Sequence, residues 1–325
     1  MISIRFTQGV ILYALGLLLT DFTLNVGVAS MNTEPDSNLR CGQRNKRGAG
    51  NQFSGAQDGQ AQFGEFPWML AIMKNLPGKD LSYKCGGSLI NPNVALTAAH
   101  CVTDNNTDIQ YSVRAGLWDM DLLVEILPHE DREVKKIIVH PDFIPQALYN
   151  DIALLILKTP LTLAEHIRTV CLPPQDFPLD SSMGRAFVSG WGKTKFNNEI
   201  LDSATILKKT DVPIVDKEKC EENLKKTRLG PNYRMHDSFI CAGGEANKDA
   251  CKGDGGSPLV LPVGEDNATY FQAGIVAWGI GCWEESHPGV YVNVGKFRNW
   301  IDEQMKNNNF DETTYQYQRK VELSN

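Results

Sequence analysis

Three residue types, far apart in the chain, could together perform acyl-transfer chemistry. His100 lies in Leu-Thr-Ala-Ala-His-Cys (96–101) and Asp151 in Tyr-Asn-Asp-Ile-Ala-Leu-Leu-Ile-Leu (149–157). A glycine-rich loop, Gly253-Asp254-Gly255-Gly256-Ser257-Pro258, offers a hydroxyl at Ser257. An imidazole can take the proton of a hydroxyl nucleophile, and a carboxylate can orient the imidazole, if all three meet in space. Each motif is weak alone. A single His is usually structural, and Asp beside Asn commonly makes a turn. The order His, then Asp, then the loop is much harder to obtain by chance.

Positioning such groups requires a rigid scaffold, and the texture of the chain points to strands. From residue 63 short apolar runs recur, among them WMLAIM (68–73), CGGSLI (85–90), VALTAA (94–99), KKIIVH (135–140), DIALLIL (151–157), RAFVSGW (185–191), YFQAGIVAWG (270–279) and GVYVNV (289–294). Gly, Pro, Asn and Asp punctuate them. Many short strands with turn residues between them predict an all-β sandwich or barrel. One segment has helical period. Phe297, Trp300, Ile301 and Met305 fall on one face, which predicts a C-terminal helix packed on the β body. Residues 306–325 are polar and are expected to fray. No internal repeat is visible in the sequence.

Bulk properties exclude some classes. The chain has 325 residues, 42% hydrophobic and 22% charged, with net charge −7 and no basic block. Nucleic acid is therefore not an expected partner. Arg5, an apolar run from Val10 to Leu19 and small residues at Gly27–Ser30 read as a secretory signal peptide spanning residues 1–30. That run is about half the roughly 20 residues needed to span a bilayer. No later segment is long and apolar enough to span, so a secreted, extracellular protein is expected. Residues 31–52 form a polar, disordered segment, and the polar texture persists to residue 62. The folded domain is placed at 53–305. Eight cysteines, an even number in a secreted chain, predict disulfides. No Cys-x-x-Cys pair or His ligand spacing argues for a metal, and no cofactor is expected. Asn105 and Asn267 lie in glycosylation sequons.

The quoted motifs, with VSGWGKT (188–194), VCLP (170–173), FICAGG (239–244), AWGIGC (277–282) and PGVYVNV (288–294), resemble the chymotrypsin-like (peptidase S1) family over about 53–305. The resemblance implies two six-stranded antiparallel β-barrels with a catalytic cleft between them. It implies the disulfides Cys41–Cys171, Cys85–Cys101, Cys220–Cys241 and Cys251–Cys282. It places the nucleophile at Gly255, because serine and glycine have exchanged places relative to the usual Gly-Asp-Ser-Gly-Gly-Pro. His100 and Asp151 are then relics of a triad, and Ser257 is a packed residue. Asp249, Trp278, Gly279 and Gly289 match a pocket for a basic side chain. A calcium loop near Glu125–Glu133 is a feature the fold allows and the residues leave open. Two further departures are Gln52-Phe53 in place of the usual basic activation site, and Ala277 where a serine usually precedes Trp-Gly.

CGQRNKRGAG (41–50), DGQAQFGEFPWMLAI (58–72) and the stretch 116–143 more specifically resemble the arthropod serine protease homologues, above all the noncatalytic prophenoloxidase-activating factors. Those relatives carry Gly at the nucleophile position and serve as cofactors in melanisation and innate immunity. The implied partners are prophenoloxidase or its activating serine proteases. Only Cys41 lies upstream of the domain, so the six-cysteine clip module usual in those relatives is not expected. A decoy inhibitor of the same cascade is the alternative, and an active trypsin-like endopeptidase a remoter one. Arg44-Asn45-Lys46-Arg47 reads either as a solvated charge cluster or as a site for subtilisin-like processing enzymes.

Overall fold

In the computed structural model of the chain, residues 40–50, 59–104, 106, 108–121, 126–193, 204–246, 253–263, 269–281 and 285–317 are described. The signal peptide, Gln52, Phe53, Asn105, Asp249, Cys251, Asn267 and Cys282 fall outside them.

Among the described residues, twelve strands close into two antiparallel barrels. The first contains β1 (Met69–Asn75), β2 (Ser82–Asn91), β3 (Val94–Thr97), β4 (Gln110–Ala115), β5 (Glu130–Val139) and β6 (Ala153–Leu157), in the order β1-β2-β3-β6-β5-β4. The second contains β7 (Arg185–Gly190), β8 (Lys208–Val215), β9 (Phe239–Gly243), β10 (Pro258–Val263), β11 (Thr269–Trp278) and β12 (Pro288–Asn293). Counted from β7, its order is β7-β8-β9-β12-β11-β10, the same as in the first. A repeat invisible in the sequence is therefore explicit in the topology. Full closure leaves no free sheet edges. It comes from β1 pairing with β4, as Leu70 with Ala115, and β10 with β7, as Leu259 with Val188.

The interior follows the apolar runs. All five residues of β6 are buried, as are all four of β3. Trp68, Leu70, Ile72, Leu89 and Leu96 belong to the core of the first barrel, and Leu259, Leu261 and Tyr291 to that of the second. Between the barrels, Ser88 of β2 donates to Gln272 of β11 at 2.5 Å, and both are fully buried. A short helix, α1 (Lys217–Lys225), carries Cys220, which is bonded to Cys241 in β9. The helix expected near the C-terminus is α2 (Arg298–Asn307), with Ile301 and Met305 fully buried.

Two expectations are corrected. Residues 40–50 contain no helix or strand, but they are docked rather than disordered. Cys41 is bonded to Cys171, Gly42 N–H donates to Thr169 O at 2.8 Å, and Gly42 O accepts from Tyr270 N–H at 2.8 Å. Nor does the chain fray from residue 306. A 3₁₀ turn at Glu312–Tyr315 returns to the body. Tyr315 is fully buried, its hydroxyl donates to Asp302 at 2.8 Å, and its carbonyl accepts from Leu172 N–H at 2.9 Å. One aromatic ring with a satisfied polar tip anchors an otherwise polar strap.

Candidate functional site between the barrels

The first barrel supplies a histidine and an aspartate. His100 sits in the short 3₁₀ turn Ala99–Cys101 after β3, fixed to β2 by the Cys85–Cys101 disulfide. Asn150, at φ +56°, turns the chain into β6, and its side chain donates to Asp142 O at 2.8 Å. Asp151 is thereby presented as a fully buried carboxylate. One of its oxygens accepts from His100 N–H at 2.8 Å, and the other lies 2.6 Å from His100 Nδ1. The imidazole is thus clamped at its Nδ1 side. Its side chain remains 30% exposed.

The second barrel supplies the loop before β10. The Gly255 carbonyl accepts from Gly86 N–H at 2.9 Å, and Gly256 N–H donates to Val276 O at 2.9 Å. This seats Gly255 against the imidazole. A Cβ built on Gly255 would lie 2.9 Å from His100 Nε2 and 3.4 Å from Cε1. That is the place of a nucleophile, and the residue there has no side chain. Asp254 turns under the loop, where one carboxylate oxygen accepts from Gly192 N–H at 2.8 Å. A Cβ on Gly192 would come within 2.5 Å of that carboxylate, so only glycine fits there.

Ser257 does not take the nucleophile's place. It is fully buried, and among the described residues its hydroxyl finds no hydrogen-bond partner. A Cβ on Gly86 would meet Ser257 Oγ at 2.0 Å, and one on Gly190 would meet it at 3.0 Å. The hydroxyl therefore points into the packed wall between β2 and β7, away from solvent.

Trp278 ends β11, its ring edge-on to those of Tyr233 (6.3 Å) and Phe239 (6.0 Å). Gly279 follows it, and Gly289 lies in β12 beside Ala242 of β9. Three disulfides form among the described residues, Cys41–Cys171, Cys85–Cys101 and Cys220–Cys241. They are three of the four pairs the resemblance implied. Cys85, His100 and Cys101 bring ligand atoms within 4.8 Å of one another, but both sulfurs are in a disulfide and offer no thiolate to a metal. At Glu125–Glu133 the described carboxylates are engaged by cations, Glu130 by Arg132, Asp131 by Arg114 and Glu133 by Lys158.

One residue of consequence escaped the sequence reading, and another was read differently. Tyr83, on β2, donates its hydroxyl to the Gly253 carbonyl at 2.9 Å. Burial, and then the Asp254 carboxylate, push its pKa well above the usual phenol value, so it remains a neutral donor. No local pattern marks such a tyrosine. The second is Arg44. Its guanidinium lies 4.1 Å from the Phe187 ring centre and 4.8 Å from that of Phe66, and it donates to Tyr270 Oη at 2.9 Å. Arg44 Nη2 also pairs with fully buried Glu65 at 2.5 Å, and Lys209 reaches the same carboxylate at 2.7 Å. Arg44 is neither solvated nor available to a processing enzyme.

Two barrels of one topology, a histidine and an aspartate from the first and a tight loop from the second, define the class of protein. The family model for trypsin matches residues 57–301, and the chain belongs to that family. Among curated proteins it is 47% identical over 293 residues, 88% of this chain and 95% of the other, to phenoloxidase-activating factor 2 of Galleria mellonella. It is 38% identical over 284 residues, 85% of this chain and 72% of the other, to an inactive CLIP domain-containing serine protease, A28, of Anopheles gambiae. To trypsin-1 of the crayfish Astacus astacus it is 34% identical over 242 residues, 74% of this chain and 95% of the other. No helix among the described residues is long and apolar enough to cross a membrane.

Proposed function

We propose that this protein is a secreted, catalytically inactive serine protease homologue that regulates an extracellular protease cascade of the prophenoloxidase type by binding. The observation that carries this reading is Gly255, seated against His100 Nε2 with no side chain. A glycine can neither attack a carbonyl nor hold an acyl group. Loss of the serine from such a triad costs on the order of 10⁶ in turnover and leaves only roughly 10³–10⁴ over water. The burial of Ser257 removes the nearest substitute. The names of the relatives, an activating factor and an inactive protease, support a binding role in immunity. Prophenoloxidase or its activating serine proteases are the partners of this reading. It includes cleavage of the signal peptide near residues 28–30, glycans on Asn105 and Asn267, a fourth disulfide between Cys251 and Cys282, and a pocket for a basic side chain around Asp249, Trp278, Gly279 and Gly289.

The test compares the native protein with the double variant Gly255→Ser, Ser257→Gly. Both are treated with a serine-directed phosphonate and assayed on an arginine-containing chromogenic peptide. The native protein is expected to remain unlabelled and to cut nothing, and labelling of it would overturn the reading. Cleavage by the variant would show that only the nucleophile is missing. Pull-down with prophenoloxidase and its activating proteases then tests the partner class.

A further inference from the structure

We propose that Glu65, Phe66, Phe187 and Tyr270 form a receptor for a guanidinium group, that Arg44 fills it as a tethered ligand, and that an arginine side chain of a partner protein can take its place. The histidine cleft takes no part in this site.

The pocket is built without Arg44. Glu65 is fully buried just ahead of β1. Its Oε2 accepts from Gln62 N–H at 2.8 Å, and Lys209 Nζ of β8 spans both oxygens at 2.7 and 2.9 Å. Neither partner belongs to the N-terminal segment, so the carboxylate is aimed before any arginine arrives. The rings brace one another in the same way. Phe187 stands edge-on to Tyr270 at 6.2 Å and tilted to Phe66 at 6.0 Å. Trp68 meets Phe66 at 6.0 Å and Tyr270 at 6.1 Å.

Arg44 inserts its guanidinium 4.1, 4.8 and 5.5 Å from the ring centres of Phe187, Phe66 and Tyr270. Nε and Nη2 donate to Glu65 Oε1, and Nη1 donates to the Tyr270 hydroxyl. Ring faces with a fork of acceptors suit a planar, weakly hydrated cation. An ammonium is a compact, strongly hydrated point charge and fits such a site poorly.

The chain around Arg44 lies on the body as a bound peptide would. Asn45 N–H donates to Glu65 O at 3.1 Å and Ala49 N–H to Phe63 O at 2.8 Å, with the Cys41–Cys171 disulfide as tether. Simple loss of Arg44 would leave Glu65 with Lys209 as its one cation, and an underpaired buried carboxylate is costly. Replacing one guanidinium by another avoids that cost. A tethered group has an effective concentration of roughly millimolar, so a partner competes by binding elsewhere on the body as well. Release of Arg44 would free the turn at 45–48 and open the exposed Arg47 to processing.

The experiment uses the full secreted protein and two small salts. Ethylguanidinium is the tip that Arg44→Ala removes, and ethylammonium is a cation without the planar fork. The stability of Arg44→Ala is measured in urea with either salt at equal ionic strength. An occupant with a dissociation constant of about 1 mM, supplied at about 10 mM, raises the folding constant about tenfold. That rise is expected with ethylguanidinium, not with ethylammonium, and not in the native protein, whose pocket is filled. Adding Phe187→Leu to Arg44→Ala should remove most of it. Equal effects of the two salts, no effect of either, or a rise that survives Phe187→Leu would each overturn the proposal. If Arg44→Ala does not fold unaided, recovery of folding in ethylguanidinium becomes the readout, and no recovery overturns it.

Replacement is tested on the native protein by hydrogen exchange of the Asn45, Gly48 and Ala49 amides, all of them bonded. About 100 mM ethylguanidinium, well above a roughly millimolar tether, should speed their exchange severalfold over ethylammonium while β6 amides stay unchanged. Equal exchange in the two salts would show that Arg44 does not give way and would overturn replacement by a partner.

Discussion

Two charged constellations in this molecule have exchanged the roles their sequences suggest. His100–Asp151 sits in the cleft, with an imidazole 30% exposed. Arg44–Glu65–Lys209 lies where the N-terminal segment meets the barrels, and its carboxylate is fully buried. The first reads as working chemistry and lacks its third member. The second reads as a processing signal and is a structural clasp. Both carboxylates are fully buried, and the difference lies in the cations, with the Arg44 side chain 9% exposed and the His100 side chain 30%. A group the fold depends on is dry and satisfied on every side, whereas a group that serves a ligand keeps one atom open.

The largest effect tests that contrast directly. Glu65→Ala removes the carboxylate that pairs with both the Arg44 guanidinium and Lys209. Breaking a buried ion pair from one side costs about 3–5 kcal/mol. The Glu65→Ala midpoint in urea should fall accordingly. His100→Ala should cost less, because Asp151 keeps its hydrogen bond from the backbone N–H at position 100. Equal losses from the two variants would break the contrast.

A smaller effect sharpens the description of the clasp. Lys46 and Arg47 are exposed, but they occupy a turn pinned on both sides. Gly48 N–H donates to Asn45 O at 2.8 Å, the Asn45 amide donates to Gly64 O and Glu165 O, and Ala49 is fully buried. A locked turn opens rarely, and proteolysis follows opening. The native protein should therefore resist limited digestion after Arg47. Arg44→Ala loses the cation–π contacts and the pair with Glu65, and should be cut there many times faster under the same conditions. Equal digestion rates would mean that the segment is not held through Arg44.

The two constellations also differ in how legible they were. The strands and the C-terminal helix were readable from the apolar runs, whereas the two barrels and the His100–Asp151 pairing were implied by the family resemblance that the motifs carry. β8 was not among the apolar runs, because Lys208, Lys209 and Asp211 make it polar at the surface. The docked 40–50 segment and the Tyr315 strap were missed for a different reason. Their polar composition argues for disorder, and each is held by a few residues whose partners are remote. Arg44 meets Tyr270 across 226 positions and Phe187 from another strand. No local window contains such a contact. Ser257 was readable as a packed residue from its place in the loop, but the cause, its fit against Gly86, appears only in three dimensions.

That fit makes the next test. Gly86→Ala would drive a methyl to 2.0 Å from Ser257 Oγ and 2.9 Å from Ser257 Cα. Overpacking of this kind costs about 1–3 kcal/mol. Ser257→Gly in the same chain should restore part of the loss, because only the backbone approach remains. Ser257→Ala alone should be neutral or slightly stabilising, since it deletes a buried hydroxyl without a partner. A marked loss of stability in Ser257→Ala would show that the hydroxyl is satisfied after all.

The smallest effect separates two kinds of imidazole. His100 is clamped by a carboxylate. His140 stands against rings, 5.0 Å from both Phe297 and Trp300. Burial lowers its pKa, and Asp142 only partly opposes the shift. A folded state that holds this proton less tightly than the unfolded chain is disfavoured by protonation. The penalty is absent above the unfolded value of about 6.5 and grows as pH falls below it, levelling off beneath the folded value. Stability measured in urea should therefore decline below about pH 6.5, and His140→Gln should lose that part of the slope. If the slope is unchanged in His140→Gln, the rings do not hold the imidazole neutral, and the acid sensitivity belongs to another group.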